Sequence, residues 1–386
     1  MKTVIQTEGL PIKTWTLNIE EGALEQAKHL AMHPYGRFHV VLLPDVHEGF
    51  GMPIGAVFAT QDVVVPNAVG VDIGCGMCAV QSNLHKDKVS KQMLQSWVDK
   101  IYQRIPVGFK HHKTKQTLPD YLSEPAGPIT EREWKEIPYQ LGTLGGGNHF
   151  IEIQYDEEGF IWIMLHSGSR NIGKETAEYY NNLAKNLNSK LKHPIPPSWN
   201  LFALPIESKE GQDYLKEMQY CQDFARENRF HMMNQIMEII GDSTGCRFNP
   251  IINIHHNYAS LEKHFGQNVW VHRKGAILAD KETIGIIPGS QGTPSFIVQG
   301  EGNPQSFKSS SHGAGRKISR HQAIKHLDLE TIKKRLDREG ILHAIKKQKD
   351  LDEAPDCYKD IHVVIEEQKD LVKVLHTLKP LAVIKG

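Results

Sequence analysis

The chain has 386 residues, which is enough for one large domain or two ordinary ones with a substantial core. Lys plus Arg and Asp plus Glu both number 45, so the net charge is zero and a globally basic, nucleic-acid-binding surface is excluded; any such binding must use local basic patches. The sequence has no apolar run of about 18 residues and no basic-then-apolar leader, so we expect a soluble protein. The five cysteines are irregularly spaced, which argues against a disulfide framework and fits the cytoplasm.

The first 85 residues predict a β-rich region. Short apolar or alternating runs, broken by proline and glycine, occur at 38–43, 54–59, 63–65 and 77–82. A helix is predicted near 88–104, because its apolar side chains fall on one face. Residues 105–140 then lack clear periodicity and carry a basic cluster at 110–115. We interpret this segment as a surface insertion of the kind that is often functional.

The remaining two thirds of the chain alternate between blocks of strands and blocks of helices. A strand at 160–165 is followed by a helix marked by apolar residues from 177 to 191, and by a longer helix within 207–240. Further strands are predicted at 251–254, 268–273, 276–279, 284–287 and 295–299, with Lys274-Gly275 as a hairpin turn. Charged helices at about 319–349 precede a short strand at 381–384. Blocks of this kind favour an α+β class with a β-rich core and peripheral helices, in one domain over 1–386.

Five glycine-flanked motifs carry most of the chemistry. They are GVDIGCG at 70–76, GGGNHF at 145–150, LHSGSR at 165–170, IHHNY at 254–258 and SHGAGR at 311–316. Glycines let the backbone approach a ligand closely. Carboxylate, thiolate and imidazole together suit manganese, iron, cobalt or zinc. We therefore predict one or two metal ions, with candidate donors Asp72, Cys75, His149, His166, His255, His256 and His312.

Two of these motifs admit more than one interpretation. Cys75 and Cys78 form C-x-x-C, but a redox pair would open a helix in a βαβ unit, and a structural zinc would need a second close pair. Cys75 is thus interpreted as a ligand and Cys78 as a small buried side chain. His255 and His256 alternate faces on a strand, so only one of them should reach a metal. For any single histidine, a hydrogen-bonded loop residue remains the alternative.

The motif around His312 differs from the others. Serine hydroxyls, backbone amides, Arg316 and Arg320 surround it, which is typical of a phosphate-binding pocket. His312 is therefore either a nucleophile toward phosphorus or a hydrogen-bond donor in an anion-binding loop. The chain has no P-loop motif and no Lys-x-Asp-Gly, so nucleotidyl transfer through the usual lysine is not expected.

In this order, the motifs resemble the RtcB family of RNA-splicing ligases over almost the whole chain. The resemblance also rests on DVHEGFGMPIG at 45–55, PGSQGTPS at 288–295, HGAGRKISR at 312–320 and the closing Lys385-Gly386. It implies a GTP-dependent ligase with two Mn²⁺ ions. Such an enzyme joins RNA ends bearing a 2′,3′-cyclic phosphate or 3′-phosphate to 5′-hydroxyl ends, through a GMP-histidine and an activated RNA-ppG end. The setting implied is RNA repair or tRNA splicing.

The resemblance also implies roles for particular residues. His312 corresponds to the guanylylated histidine, and the three arginines Arg170, Arg316 and Arg320 lie near phosphates. The implied metal ligands are Asp72, Cys75, His149, His166 and His256. The implied guanylate contacts are Asn148, Glu152, Ser290, Ser295 and Lys385. A monomer with an archease-type activator or repair partner is implied as well.

Two rival functions remain at this point. A dinuclear metal phosphoesterase acting on RNA ends would use the same donors with water as the nucleophile, without GTP. A non-catalytic, metal-dependent RNA-binding protein would tolerate a change of His312. The chain is shorter than the better-known family members and continues HSGSR with Asn171-Ile172-Gly173, which points to a paralogous branch dedicated to RNA repair.

Overall fold

Ten α-helices and seventeen strands form the fold, which a computed structural model describes over residues 1–386. The helices are α1 (Glu21–Ala31), α2 (Pro66–Val69), α3 (Lys91–Arg104), α4 (Pro128–Glu133), α5 (Ile137–Gln140), α6 (Asn171–Leu187), α7 (Lys209–Thr244), α8 (Arg320–His326), α9 (Leu329–Arg338) and α10 (Ile361–Glu367). The longest, α7, begins at a serine cap, where the Ser208 hydroxyl accepts from the amide of Gly211, and ends at the left-handed Gly245.

The strands are β1 (Thr3–Ile5), β2 (Ile12–Thr14), β3 (Gly36–His47), β4 (Ile54–Thr60), β5 (Val63–Val64), β6 (Gly76–His85), β7 (Phe150–Tyr155), β8 (Phe160–Ser167), β9 (Leu204–Pro205), β10 (Ile252–His255), β11 (Asn257–His264), β12 (Gln267–Lys274), β13 (Ala276–Leu278), β14 (Ile284–Ile287), β15 (Ser295–Gly300), β16 (Ser309–Ser311) and β17 (Val372–Lys385). Most of them belong to two sheets. A six-stranded sheet has the order β1-β2-β3-β4-β12-β11, and a seven-stranded sheet has the order β10-β6-β8-β7-β17-β15-β14. Only the β2–β3 pair is parallel.

The cores lie on the faces of these sheets because buried side chains alternate along the strands. In β3, Val40 and Leu42 join the largest core together with α1, α6 and the first half of α7. Val41 and Leu43 point the other way, into a core shared with β14, β15 and α10. The second half of α7 and α3 cover the seven-stranded sheet. This arrangement confirms the predicted α+β class.

Two sequence-based expectations differ from the structure. Lys274-Gly275 is not a hairpin turn, because β12 pairs with β4 and β11 whereas β13 pairs with β16. Gly275, with φ 62°, is instead a corner between sheets. The segment 105–140 is more than a surface insertion, since it carries α4 and α5 and buries Leu122, Ile129 and Ile137 in the largest core.

The charged region at 319–349 also forms less helix than expected. The two helices α8 and α9 end at His326 and Arg338, and turns of 3-10 helix follow at Gln348–Glu353 and Pro355–Cys357. No helix of the chain is both long enough and apolar enough to span a membrane.

Candidate metal and nucleotide site

Five side chains with metal-binding donors meet at the junction of the two sheets. Asp72 and Cys75 lie in the turn between α2 and β6, and His149 directly precedes β7. His166 is near the end of β8, where it pairs with Phe150 in the sheet register. His256 is the single residue between β10 of the seven-stranded sheet and β11 of the six-stranded sheet. Strand pairing therefore brings together residues that are far apart in sequence.

Their donor atoms form a continuous row with Cys75 at its centre. The Sγ atom of Cys75 lies 3.4 Å from Nε2 of His149 and 3.2 Å from Nε2 of His166. At one end, Oδ2 of Asp72 is 3.0 Å from Nε2 of His149. At the other end, Nε2 of His256 is 3.3 Å from Nε2 of His166. Cys75 thus lies between the Asp72 end and the His256 end of one continuous group of potential metal ligands.

The imidazoles present their Nε2 lone pairs to this row. The Nδ1 atom of His149 donates to the carbonyl of Leu144 and that of His166 to the carbonyl of Asn148, both at 3.0 Å. A carbonyl acceptor fixes the tautomer with the proton on Nδ1, which leaves Nε2 free to bind a metal. Burial lowers the pKa of His166 and of His256 well below the ordinary value. Both rings are thus neutral and ready to act as ligands.

The two anionic donors depend on their surroundings in opposite ways. Burial, together with the Asp72 charge, raises the pKa of the Cys75 thiol well above its usual value. Burial alone would raise the pKa of Asp72 too, but the close contact with His149 lowers it to about 2. A bound cation would stabilise the Cys75 thiolate and release its proton. Cys75, His149 and His166 together form a group able to hold a metal ion, with all ligand atoms within 4.8 Å of one another.

His312 is held by a carboxylate that sequence reasoning missed. Its Nδ1 donates to Oδ2 of Asp45 at 2.7 Å, and its backbone amide donates to the same oxygen at 3.1 Å. Asp45 is fully buried in β3; burial alone would raise its pKa, but the hydrogen bond and charge of His312 bring the pKa below the ordinary value. The Nε2 atom of His312 keeps its lone pair, which is the arrangement of an oriented nucleophile. The His312 ring centroid lies 4.8 Å from that of His256.

The backbone at the corner residue Gly275 comes so close to His312 that only glycine fits there. A Cβ atom there would lie 2.9 Å from Cε1 of His312 and 2.3 Å from the side chain of Ile54. Gly168 of the HSGSR motif has a similar role, because a Cβ atom would lie 2.3 Å from Oδ1 of Asp72. Two glycines of the site are therefore explained by contacts with the functional side chains.

One cavity of about 360 Å³ connects the donor row with His312, which we call the first cavity. Most of the residues singled out from the sequence line it: Asp72, Cys75, Asn148, Glu152, His166, His256, Ser290, His312, Arg316, Arg320 and Lys385. Ser295 lies behind the wall instead, where its Oγ accepts from the amide of Gly289 and from Nε2 of Gln154, both at 3.1 Å. His149 and Arg170 line an adjoining cavity.

At the end of the first cavity, four side chains converge on the buried Glu353. Lys385 Nζ is 2.8 Å and Arg320 Nη2 is 2.6 Å from its carboxylate, and the Tyr358 hydroxyl donates at 2.6 Å. Arg316 completes the group at 3.4 Å. We call these residues the Glu353 cluster. Sequence reasoning missed Glu353 and Tyr358, which lie in a region without a recognisable motif.

Lys385 reaches this cluster because β17 pairs with β7. Lys385 lies opposite Phe150, and Val383 lies opposite Glu152. Burial raises the pKa of Glu152 to about 8, and the amide of Gln154 donates to its carboxyl group. The strand thus places an ammonium and a carboxyl group side by side in the wall of one cavity.

Comparison with known proteins gives one consistent result. The sequence model of the family described as tRNA-splicing ligase RtcB matches residues 26–137 and 122–386. The RNA-splicing ligase RtcB of Escherichia coli K12 is 36% identical over 99% of this chain and 99% of the relative. The tRNA-splicing ligase RtcB of Methanococcus maripaludis is 31% identical over 96% and 92%. The RNA-splicing ligase RtcB of Mycobacterium tuberculosis is 31% identical over 89% and 96%.

Proposed function

This chain belongs to the RtcB family, and from that membership we propose that it is an RNA ligase. It joins RNA ends bearing a 2′,3′-cyclic phosphate or 3′-phosphate to 5′-hydroxyl ends, using GTP, in RNA repair or tRNA splicing. The observation that carries the proposal is the contact of His312 with Asp45, in the same cavity as the metal donors. The five cysteines are all unpaired, which supports a cytoplasmic reaction.

In the first step, His312 accepts GMP. Its Nε2 attacks the α-phosphorus of GTP, so that an N–P bond forms and the α–β phosphoanhydride bond breaks with release of pyrophosphate. The Nδ1 proton stays hydrogen-bonded to Asp45, whose carboxylate stabilises the positive charge that develops on the ring. Glu152, Lys385, Asn148 and Ser290 all line the first cavity. In this proposal, Glu152 and Lys385 would contact the guanine, and Asn148 and Ser290 would contact the rest of the nucleotide.

The donor row fits two divalent cations, and we assign these as Mn²⁺. Asp72, Cys75 and His149 would hold one, and Cys75, His166 and His256 the other. Bound there, the ions supply Lewis-acid stabilisation of phosphate charge. The neutral imidazoles and the single soft thiolate suit a first-row transition metal.

In the second step, His312 acts as the leaving group. A 3′-phosphate oxygen of the RNA attacks the phosphorus of the histidine adduct, a P–O bond forms and the N–P bond breaks. The lone pair returns to Nε2, and Asp45 keeps the ring in position for the next cycle. In the last step, the 5′-hydroxyl oxygen attacks the 3′-phosphorus and loses its proton to solvent. A P–O bond forms, and the bond from this phosphorus to the bridging oxygen breaks with release of GMP. A cyclic phosphate end must first be hydrolysed to the 3′-phosphate.

The ligase proposal is stronger than its two rivals. A dinuclear phosphoesterase uses water as its nucleophile and needs no histidine held by a buried carboxylate. A non-catalytic RNA-binding protein needs no nucleophile at all. The relatives compared above are named ligases, not phosphoesterases.

The direct test is formation of the histidine adduct. Wild-type protein incubated with α-labelled GTP and Mn²⁺ should keep the label on a denaturing gel, and His312→Ala should abolish it. Manganese content, measured by elemental analysis, should stay nearly unchanged, because His312 is not in the donor row. His321→Ala, on the exposed side of α8, is the matched control. A labelled adduct that persists in His312→Ala would overturn the assignment.

A further inference from the structure

The helix α7 carries two polar side chains in the middle of its buried face. Up to Phe224 this face packs in the largest core, and from Met232 onward it packs against the seven-stranded sheet. Between these apolar stretches lie Asn228 and Arg229, which are both fully buried. Burial of a polar group is unfavourable unless the group is hydrogen-bonded, and burial of a charge is more so. The hydrogen-bond partners therefore indicate what these two residues contribute.

The guanidinium of Arg229 connects three of the glycine-flanked motifs. Its Nη1 donates to the carbonyl of Gly74 at 3.0 Å and to that of Ser167 at 2.9 Å. Its Nε donates to Oδ1 of Asn253 at 2.7 Å, and its Nη2 donates to Nδ1 of His255 at 3.2 Å. A guanidinium is planar and presents its N–H groups in a fixed arrangement, so it can hold several chain segments in one relative geometry.

Three of these contacts adjoin the donor row. The contacted residues directly precede Cys75, directly follow His166 and directly precede His256. In the proposed assignment, these three donors bind the cation on the His256 side, which we call the His256 position. A shift of any of the three backbones would move a donor, because each donor is the next residue along the chain.

Arg229 has no carboxylate among its partners, which are two carbonyls, an amide oxygen and an imidazole. Burial lowers the pKa of its guanidinium to about 10, so the group remains charged at neutral pH. A buried charge without an anionic partner is unfavourable for folding. The stability of the fold therefore does not explain why an arginine is found here, whereas the arrangement of the three motifs does.

Asn228 makes similar contacts at the other end of the donor row. Its Oδ1 accepts from the amide of Gly142 at 2.7 Å and from that of Thr143 at 3.0 Å. The next residue, Leu144, provides the carbonyl that accepts from Nδ1 of His149. His149 is a ligand of the other proposed cation, on the Asp72 side, which we call the Asp72 position. Consecutive residues of a helix point about 100° apart, so one helix reaches both positions.

We propose that Arg229 is a positioning residue for the His256 position, whose ligands it orients through their neighbouring backbones, and that Asn228 does the same for the Asp72 position. The inference rests on the proposed function for the assignment of two cations. It also gives a role to His255, which the sequence presents as a candidate ligand. His255 accepts a hydrogen bond from Arg229, while its neighbour in the chain belongs to the donor row.

The test measures Mn²⁺ binding to the metal-free protein, without GTP or RNA. Isothermal titration calorimetry gives the number and affinity of the ions, and electron paramagnetic resonance distinguishes an isolated Mn²⁺ ion from a spin-coupled pair. In Arg229→Lys, the ammonium keeps the charge but cannot reach three motifs at once. We expect one ion to bind as in wild type and the other about 10- to 100-fold more weakly. Arg226→Lys is the matched control, since Arg226 lies on the exposed side of α7 and pairs with Asp223.

A second variant serves if Arg229→Lys does not fold. His255→Ala removes one partner of Arg229 from a half-buried position, and it should weaken the same ion by a smaller factor.

A double-variant experiment assigns the weakened ion to its position. In a His256→Ala background, where the His256 position already lacks a ligand, Arg229→Lys should have little further effect on the remaining ion. Asn228→Ala in the same background should weaken that ion about 10- to 100-fold.

Three results would overturn the inference. The first is unchanged binding of both ions in Arg229→Lys and His255→Ala, and a lower melting temperature with such binding would show that Arg229 is only structural. The second is equal weakening of both ions, and the third is a wild-type protein that binds a single ion. If two ions bound as expected but wild-type protein formed no GMP adduct, the proposed function would fail and the positioning role would stand.

Discussion

The donor row and the Glu353 cluster lie in one cavity but differ in how complete they are. In the Glu353 cluster, the carboxylate has partners from Lys385, Arg320 and Tyr358, so the charge of Glu353 is compensated within the protein. In the donor row, neutral imidazoles surround a thiol whose pKa is raised, and Nδ1 of His256 has no hydrogen-bond partner. The donor row therefore needs a cation to become stable, whereas the Glu353 cluster is already assembled. A substitution in the donor row should therefore abolish activity, whereas a substitution in the Glu353 cluster should only reduce it.

The largest effect is expected from Cys75→Ala. Loss of the central donor removes a ligand from both proposed cation positions, so manganese content and adduct formation should fall together. We expect adduct formation to fall by at least about 100-fold. Elemental analysis and the labelled-GTP assay measure the two. Cys78→Ala, in the same strand region but buried among apolar side chains, is the control and should be mild. If Cys78 instead of Cys75 controlled the metal content, Cys75 would not be the central metal ligand and the description of the donor row would be wrong.

Asp45→Asn should have the next largest effect. The amide group can donate to Nδ1 of His312 and so favour the tautomer with its proton on Nε2, which removes the nucleophilic lone pair. We expect the single-turnover rate of guanylylation to fall by about 100- to 10,000-fold. Manganese content should not change, since Asp45 is not in the donor row. A rate within a few-fold of wild type would show that Asp45 has only a structural role.

Glu152, in the wall of the first cavity, provides a pH-dependent test of the proposed guanine contact. Burial raises its pKa to about 8, so the carboxyl group is mostly protonated at pH 7. Guanine offers N–H donors and needs the carboxylate, so binding must release this proton. Affinity for GTP should therefore increase by up to about tenfold per pH unit between pH 6.5 and 8 and level off above 8. Glu152→Gln should lose that part of the slope; an identical slope in the variant would contradict the assignment.

Deletion of Lys385-Gly386 should have the smallest effect. Glu353 keeps Arg320 and Tyr358 as partners, so the cluster should survive and the melting temperature should change little. We expect GTP affinity to fall by about tenfold, the size of one charged hydrogen bond, with weaker discrimination against ATP. Lys379→Ala, an exposed lysine of the same strand, is the control. Unchanged affinity and discrimination would show that the ammonium does not contact the base.

The sequence predicted the donor residues better than it predicted their supports. Cys75, His149 and His166 stand in glycine-rich motifs, which are recognisable because metal chemistry needs few residue types and close backbone approach. Asp45 begins the DVHEGFGMPIG motif at 45–55, but nothing in the neighbouring sequence indicates its role. It lies between Pro44 and Val46 within a strand, and its contact with His312 spans 267 residues. Only the pairing of distant strands reveals it.

The same limit explains the error at Lys274-Gly275. A Lys-Gly step between two apolar runs is typical of a hairpin, and local pattern does not tell which strand each run will join. In the structure, the true hairpin turn of β11 and β12 is at Phe265-Gly266. For 105–140, Leu122, Ile129 and Ile137 are buried although no helical period links them, because short helices bury isolated side chains instead of a continuous face.

The position of β17 in its sheet has a consequence for how the protein is made. β17 lies between β7 and β15, although residues 372–385 come after those of every other strand. While the chain is being synthesised, β7 and β15 therefore have open edges that can pair with other chains. The wall beside Glu152 closes only after β17 leaves the ribosome. A product that ends before β17 thus lacks the strand that covers the edge of β7, and the first cavity is complete only once this strand has been made.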